Sequence, residues 1–141
     1  MVRLPFTLSR HLAPTEGVIH RRSPYSVNET LDRLSEAIET IGAKIFTVID
    51  QTAEAEDVNL QLRDTVLLIF GNPAAGTQVM KAAPLSALDL PLKILIWVDD
   101  EENVFMSYLS AEWLAERYEL TRELREPLMA PEILTGRVAT G

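Results

Sequence analysis

The chain contains no cysteine. That excludes disulfides, thiolate zinc sites, iron–sulfur clusters and cysteine nucleophiles, and it fits a reducing, cytoplasmic compartment. Histidine is nearly absent too: His11 and His20 are the only two. A two-histidine metal site would need carboxylates that no spacing in the chain supplies, so no metal and no cofactor is expected. Positive charge is scarce, with 13 Lys+Arg against 21 Asp+Glu and a net charge of −8. Phosphate contacts need clustered Lys and Arg, and the longest basic cluster is His20-Arg21-Arg22, so no nucleic-acid partner is expected. No apolar run approaches the ~20 residues of a membrane-spanning helix. The first residues, broken by Thr7, Ser9, Arg10 and His11, lack the apolar centre of a signal peptide. The glycine and lysine spacing of a phosphate loop is missing, as is the G-x-S-x-G turn of serine hydrolases.

What is present is a normal globular composition: 141 residues, 47% of them hydrophobic. Such a chain buries roughly two-thirds of its unfolded surface as one domain. Residues 1–16 read as a tail and 17–141 as a single domain. Gly17 to Ser23 reads as a first strand. Ser26-Val27-Asn28-Glu29 has the S-x-x-E form of a capping box, and Leu31, Leu34, Ile38 and Ile41 follow at helical spacing before Gly42. The expected helix covers 27–41. Ala43 to Asp50 is β-rich, and Ala53 to Asp57 suggests a short helical turn. Thr65 to Phe70 is a continuous apolar run, as in a strand covered on both faces. Asn72 suits an N-cap and Pro73 a first helical position, with a helix to about Ala83. Leu92 to Val98 and Val104 to Leu109 read as a hairpin around Asp99 to Asn103. Ser110 caps a helix to about Glu119, and Pro127 and Pro131 divide the remainder into two short helices. Consecutive strands favour an α+β fold, with one antiparallel sheet and helices packed on one face.

Four polar residues near strand ends are candidate site residues, each with a plain structural alternative. Phe70-Gly71-Asn72-Pro73 is either a ligand site at a helix start, where free N–H groups favour an anion, or a capped turn, and the capped turn ranks first. Asp50 is either a general base or ligand-orienting group, or a capping carboxylate. Lys93, in Leu90-Pro91-Leu92-Lys93, is either an anion anchor or nucleophile, or a lysine that pairs or reaches solvent. Tyr108 either presents its hydroxyl in a pocket or fills the core, and Trp97 is expected in the core as a cross-strand aromatic. Asp99-Asp100-Glu101-Glu102 lacks the spacing of a calcium loop and reads as a solvated hairpin tip.

These peptides resemble the bacterial and archaeal domain-of-unknown-function 302 family from about Val18 to Val138. The likeness rests on Tyr25-Ser26-Val27 with Glu29-Thr30, Gly42 with Phe46 and Ile49-Asp50, and Leu68-Ile69-Phe70-Gly71-Asn72-Pro73. Gly76-Thr77 with Met80, Leu90-Pro91-Leu92-Lys93 with Trp97, and Ser107-Tyr108-Leu109 complete it. The resemblance implies a β-α-β4-α arrangement like the TATA-binding-protein fold class, with a helical insertion after the third strand, and it implies a homodimer. It implies no activity, since fold does not carry function. Two positions depart from the family's pattern: Asp50-Gln51 stands where relatives have Asp-His, and Glu102-Asn103 where a glycine is common.

The leading expectation is a small-ligand-binding or accessory domain, its ligand small and allowed to be anionic, held in a cavity between sheet and helix by Asp50, Asn72, Lys93 and Tyr108. The alternative is a structural dimerisation or protein-interaction module. An enzyme using Asp50 or Lys93 as acid/base ranks below both.

Overall fold

The Ser26 hydroxyl accepts from the Glu29 backbone N–H at 3.1 Å, and helix α1 follows over Val27–Thr40. Gly42 ends it with φ +76°, a left-handed conformation that glycine adopts without strain. The computed structural model describes residues 16–140, so the tail assigned to 1–16 lies outside the described residues apart from Glu16.

The strands are β1 (Val18–Arg22), β2 (Lys44–Asp50), β3 (Thr65–Gly71), β4 (Leu92–Val98) and β5 (Val104–Leu109). They form one five-stranded sheet in the order β1-β5-β4-β3-β2, with every neighbouring pair antiparallel. Because β1 and β2 are opposite edges, α1 must cross the sheet to connect them. It packs over β2, β3 and β4, while α6 (Ala130–Thr140) lies beside it over β1 and β4. The fold is therefore α+β, with the β-α-β4-α order that the resemblance implied.

The core fills the space between these two helices and one sheet face. Leu34 and Ile38 of α1 meet Leu68 and Phe70 of β3, Ile94 and Ile96 of β4 and Met106 of β5 there, all of them fully buried. Each such side chain contributes about 1.5–3 kcal/mol through burial. The apolar run of β3 differs from its expected double coverage. Val66, Leu68 and Phe70 are buried, but Leu67 and Ile69 are only half-buried on the opposite face, because α1 and α6 cover one side alone. Trp97 also falls on that opposite face: it pairs with Phe105 and Thr65, one residue out of step with buried Ile96 and Met106, and so it does not join the core.

Helices fill the connections as well. Helix α2 (Gln51–Asp57) follows β2. Helix α3 (Pro73–Ala82) and a 3-10 turn (Pro84–Leu88) form the insertion after the third strand. After β5 come α4 (Ala111–Arg117), α5 (Arg122–Arg125) and a second 3-10 turn (Glu126–Met129). Helix α4 stops short of Glu119, which turns to φ +51°. The C-terminal region holds three helical pieces where two were expected, and Pro131 lies in the first turn of α6, where a missing N–H costs nothing.

The acidic tip is not simply solvated. Asp99 is 2% exposed, and its carboxylate accepts from the Glu101 and Asn103 N–H groups at 3.0 and 2.8 Å. Burial pushes its pKa up, but these bonds outweigh that and hold it below the ordinary value. Glu102, rather than Asn103, takes the left-handed conformation of the turn. Among the described residues no helix is long and apolar enough to cross a membrane.

Candidate functional site

The Asn72 turn is a cap. Its Oδ1 accepts from the Ala74 and Ala75 N–H groups at 3.0 and 3.2 Å, and the Gly76 N–H bonds the Asn72 carbonyl at 2.8 Å. Pro73 has no N–H to give. Every N–H of the first turn of α3 is therefore engaged, which leaves none for the anion that a free helix start would attract.

The same turn nevertheless walls a recess of about 340 Å³ at the end of the sheet. Phe46, Gly71, Asn72, Gly76, Met80, Pro91, Leu92 and Leu128 are among its lining residues, and none of the lining residues is charged. Phe46 occupies the bulge where the β2–β3 register shifts between Ile45 and Thr47, a device that re-aims a side chain. Gly71 sits between two of the walls, where a Cβ would lie 3.8 Å from both the Phe46 ring and Pro91, in ordinary contact with each. The Leu90–Pro91 bond is cis. On the α3 side a Cβ at Gly76 would meet only Met80 Cε, at 4.0 Å, so this glycine leaves the space open.

Two lysines adjoin those walls. Lys93 Nζ donates to the Pro91 carbonyl at 2.9 Å, and Lys44 Nζ sits 5.1 Å from the centre of the Phe46 ring. Among the described residues neither has an ion-pair partner.

The other two sequence candidates lie elsewhere. Asp50 caps α2, its carboxylate accepting from the Ala53 N–H at 3.0 Å. It pairs with Val66, while Lys44 at the other end of β2 pairs with Gly71, a separation of roughly 20 Å along the strand. Tyr108 is on the core face and 5% exposed, and its buried hydroxyl has no hydrogen-bond partner among the described residues. It is not among the residues lining the recess. So the recess gathers Asn72 directly and Lys93 through Pro91, but not Asp50 or Tyr108.

One polar cluster went unseen in the sequence. Trp97 Nε1 donates to Ser107 Oγ at 2.8 Å, and Ser107 Oγ lies 2.6 Å from His20 Nδ1. An indole only donates, so the Ser107 oxygen accepts from Trp97, and in the neutral form of His20 the tautomer sets which of Ser107 Oγ and Nδ1 donates to the other. Burial lowers the His20 pKa, which favours this neutral form. Ser107 is 6% exposed, and the indole N–H engages its oxygen, a poor arrangement for a nucleophile. The trio ties β1, β5 and β4 together on the face opposite the core. Nothing in the local spacing of His20 signals a partner 87 residues away. Among the described residues no group of three His, Asp or Glu is placed to hold a metal.

The family model for the domain of unknown function DUF302 matches residues 19–130. The chain belongs to the DUF302 family. A crystal structure of an uncharacterized conserved DUF302 protein from Bacillus stearothermophilus superposes with a TM-score of 0.72, covering 89% of this chain and 98% of that one. At 17% identity that likeness speaks for the fold alone. Curated relatives include Fluoride-specific ion channel FluC 1 of Brucella suis and of Brucella abortus, each 36% identical over 104 residues. Those residues make up 74% of this chain but only 41% and 38% of the relatives. This DUF302 chain thus spans about two-fifths of the length of the curated proteins it matches.

Proposed function

We propose that this DUF302 domain binds a small, predominantly apolar molecule in the recess between α3, the end of the sheet and the Leu90–Pro91 turn. The supporting observation is a lining without charged residues around about 340 Å³, within the size range of small-molecule sites. Two glycines, Gly71 and Gly76, stand where side chains would narrow or fill it. Calorimetric titration with 1-octanol tests the reading. Wild-type protein is expected to bind it saturably, and Gly76→Leu, which fills the recess from a helical position, is expected to lose binding while keeping its fold. Octanol binding that survives Gly76→Leu unchanged moves the ligand out of the recess.

A second reading rests on a different region. Edge strand β2 leaves Phe46 and Val48 43% and 41% exposed, and the loop after α2 exposes Val58, Leu60 and Leu62. An apolar sheet edge invites pairing, and a second copy of the chain is the partner proposed for it. Sedimentation of wild type and Val48→Lys checks this: a dimer that Val48→Lys dissociates supports it, and a monomeric wild type ends it. The relatives' name assigns a fluoride channel to whole proteins, and no transport is proposed for this chain.

A further inference from the structure

The recess has two halves of different chemistry, and together they define a ligand class. Its lining is apolar and uncharged. Yet the two walls that flank Gly71 each hold an ammonium group: Lys44 over the Phe46 ring at 5.1 Å, and Lys93 on the Pro91 carbonyl at 2.9 Å. Register puts both on one side of the sheet, since Lys44 pairs with Gly71 on β3 and Lys93 pairs with Ile69, two residues earlier on the same strand. They lie on β2 and β4, which flank β3 and stand about 10 Å apart, a gap that two lysine side chains can close. Lys93 is half-buried and spends one of its three N–H donors on Pro91, so two remain. In a chain with 21 acids and 13 strong bases, lysines have many carboxylates available. Among the described residues Arg33 and Arg117 each take one, whereas Lys44 and Lys93, like Lys81 and the other arginines, take none. Two ammonium groups thus adjoin the recess walls in a chain whose net charge is −8.

We infer that the ligand of this recess is an amphipathic monoanion: an apolar chain seated between α3 and the sheet end, with one carboxylate held by Lys44 and Lys93. This rests on the recess being a binding site and adds the ligand's charge and the residues that read it. The anion is received by side-chain ammoniums at the sheet, not by the start of α3, whose N–H groups are all engaged by Asn72. An apolar tail gives affinity by leaving water, and a charge-assisted bond at one end fixes its direction.

Octanoate, 1-octanol and acetate, titrated separately into the full chain, test the inference. Octanoate is expected to bind about tenfold or more tighter than octanol, the increment of one charge-assisted hydrogen bond, and acetate to bind far more weakly than either. In the double variant Lys44→Met, Lys93→Met, octanoate is expected to fall to the octanol level while octanol affinity stays put. Unchanged octanol binding also shows that the variant is folded, and Lys44→Met alone, at an exposed strand end, gives an intermediate preference. If octanol binds the wild type as well as octanoate does, the carboxylate assignment is wrong and the apolar recess stands. If acetate matches octanoate, or if the double variant keeps the preference for octanoate, the two lysines are not the anion site. If neither eight-carbon probe binds, the recess reading and this inference fall together.

Discussion

Asp50 and Asn72 do the same local job at opposite ends of the β2–β3 pair. Each ends a strand in extended conformation and caps the helix that follows, Asp50 through the Ala53 N–H and Asn72 through those of Ala74 and Ala75. What surrounds them differs. Helix α2 buries no residue and lies against the start of β3. Helix α3 buries Val79 and stands across a gap from Phe46, Pro91 and Leu92, which Gly76 leaves open. A polar residue at a strand end is therefore not in itself a site. The capacity to bind comes from the space that neighbouring elements leave beside it.

The contrast can be broken most forcefully at Gly76. Leucine there is expected to abolish octanol binding, while alanine, free of any close contact, stabilises the helix by about 0.5–1 kcal/mol; calorimetry and chemical denaturation read the two effects. Next in size is Val79→Ala, which removes a fully buried side chain and should cost about 2 kcal/mol in a denaturant melt. Ala55→Gly in α2, where nothing is buried, should cost about 1 kcal/mol or less. The caps themselves give the cleanest comparison. Asn72→Ala and Asp50→Ala should each lose about 1 kcal/mol of stability, but only Asn72→Ala should weaken octanol binding. Equal effects of the two on binding would erase the distinction between the two ends.

The smallest expected effect lies in a third region. Folding lowers the His20 pKa, so below the ordinary value near 6.5 the unfolded chain binds the proton more readily. The stability owed to neutral His20 is complete above that pH and is lost as pH falls toward and through the folded pKa. Thermal melts between about pH 7.5 and about pH 5.5 should show a decline that His20→Gln flattens. Octanol affinity should not follow it, because His20 is not among the residues lining the recess.

The sequence carried most of the architecture. Ser26 with Glu29 and Gly42 bracket α1, Asn72-Pro73 starts α3, and the hairpin strands Leu92–Val98 and Val104–Leu109 begin and end where their apolar patterns do. The caps at 50 and 72 were legible because capping is set by neighbours in the chain. The faces of β3 were not, since Thr65–Gly71 is apolar at both alternations and only the helices decide which side is covered. The recess escaped for a related reason. Its walls come from a bulge at Phe46, a turn at Pro91 and a helix at Gly76, and no local pattern encodes that they meet. The Ser107–His20–Trp97 trio depends on register across three strands. Asp99 looked like one acid among four, and only the turn around it shows why it is buried.

The most direct test follows methionine methyl resonances during an octanoate titration of the full chain. Met80 lines the recess and Met106 is fully buried in the core. The expected result is a saturable shift at Met80, none at Met106, and no shift at either in Gly76→Leu. A Met80 signal that stays still, or one that moves equally in Gly76→Leu, would contradict binding in the recess.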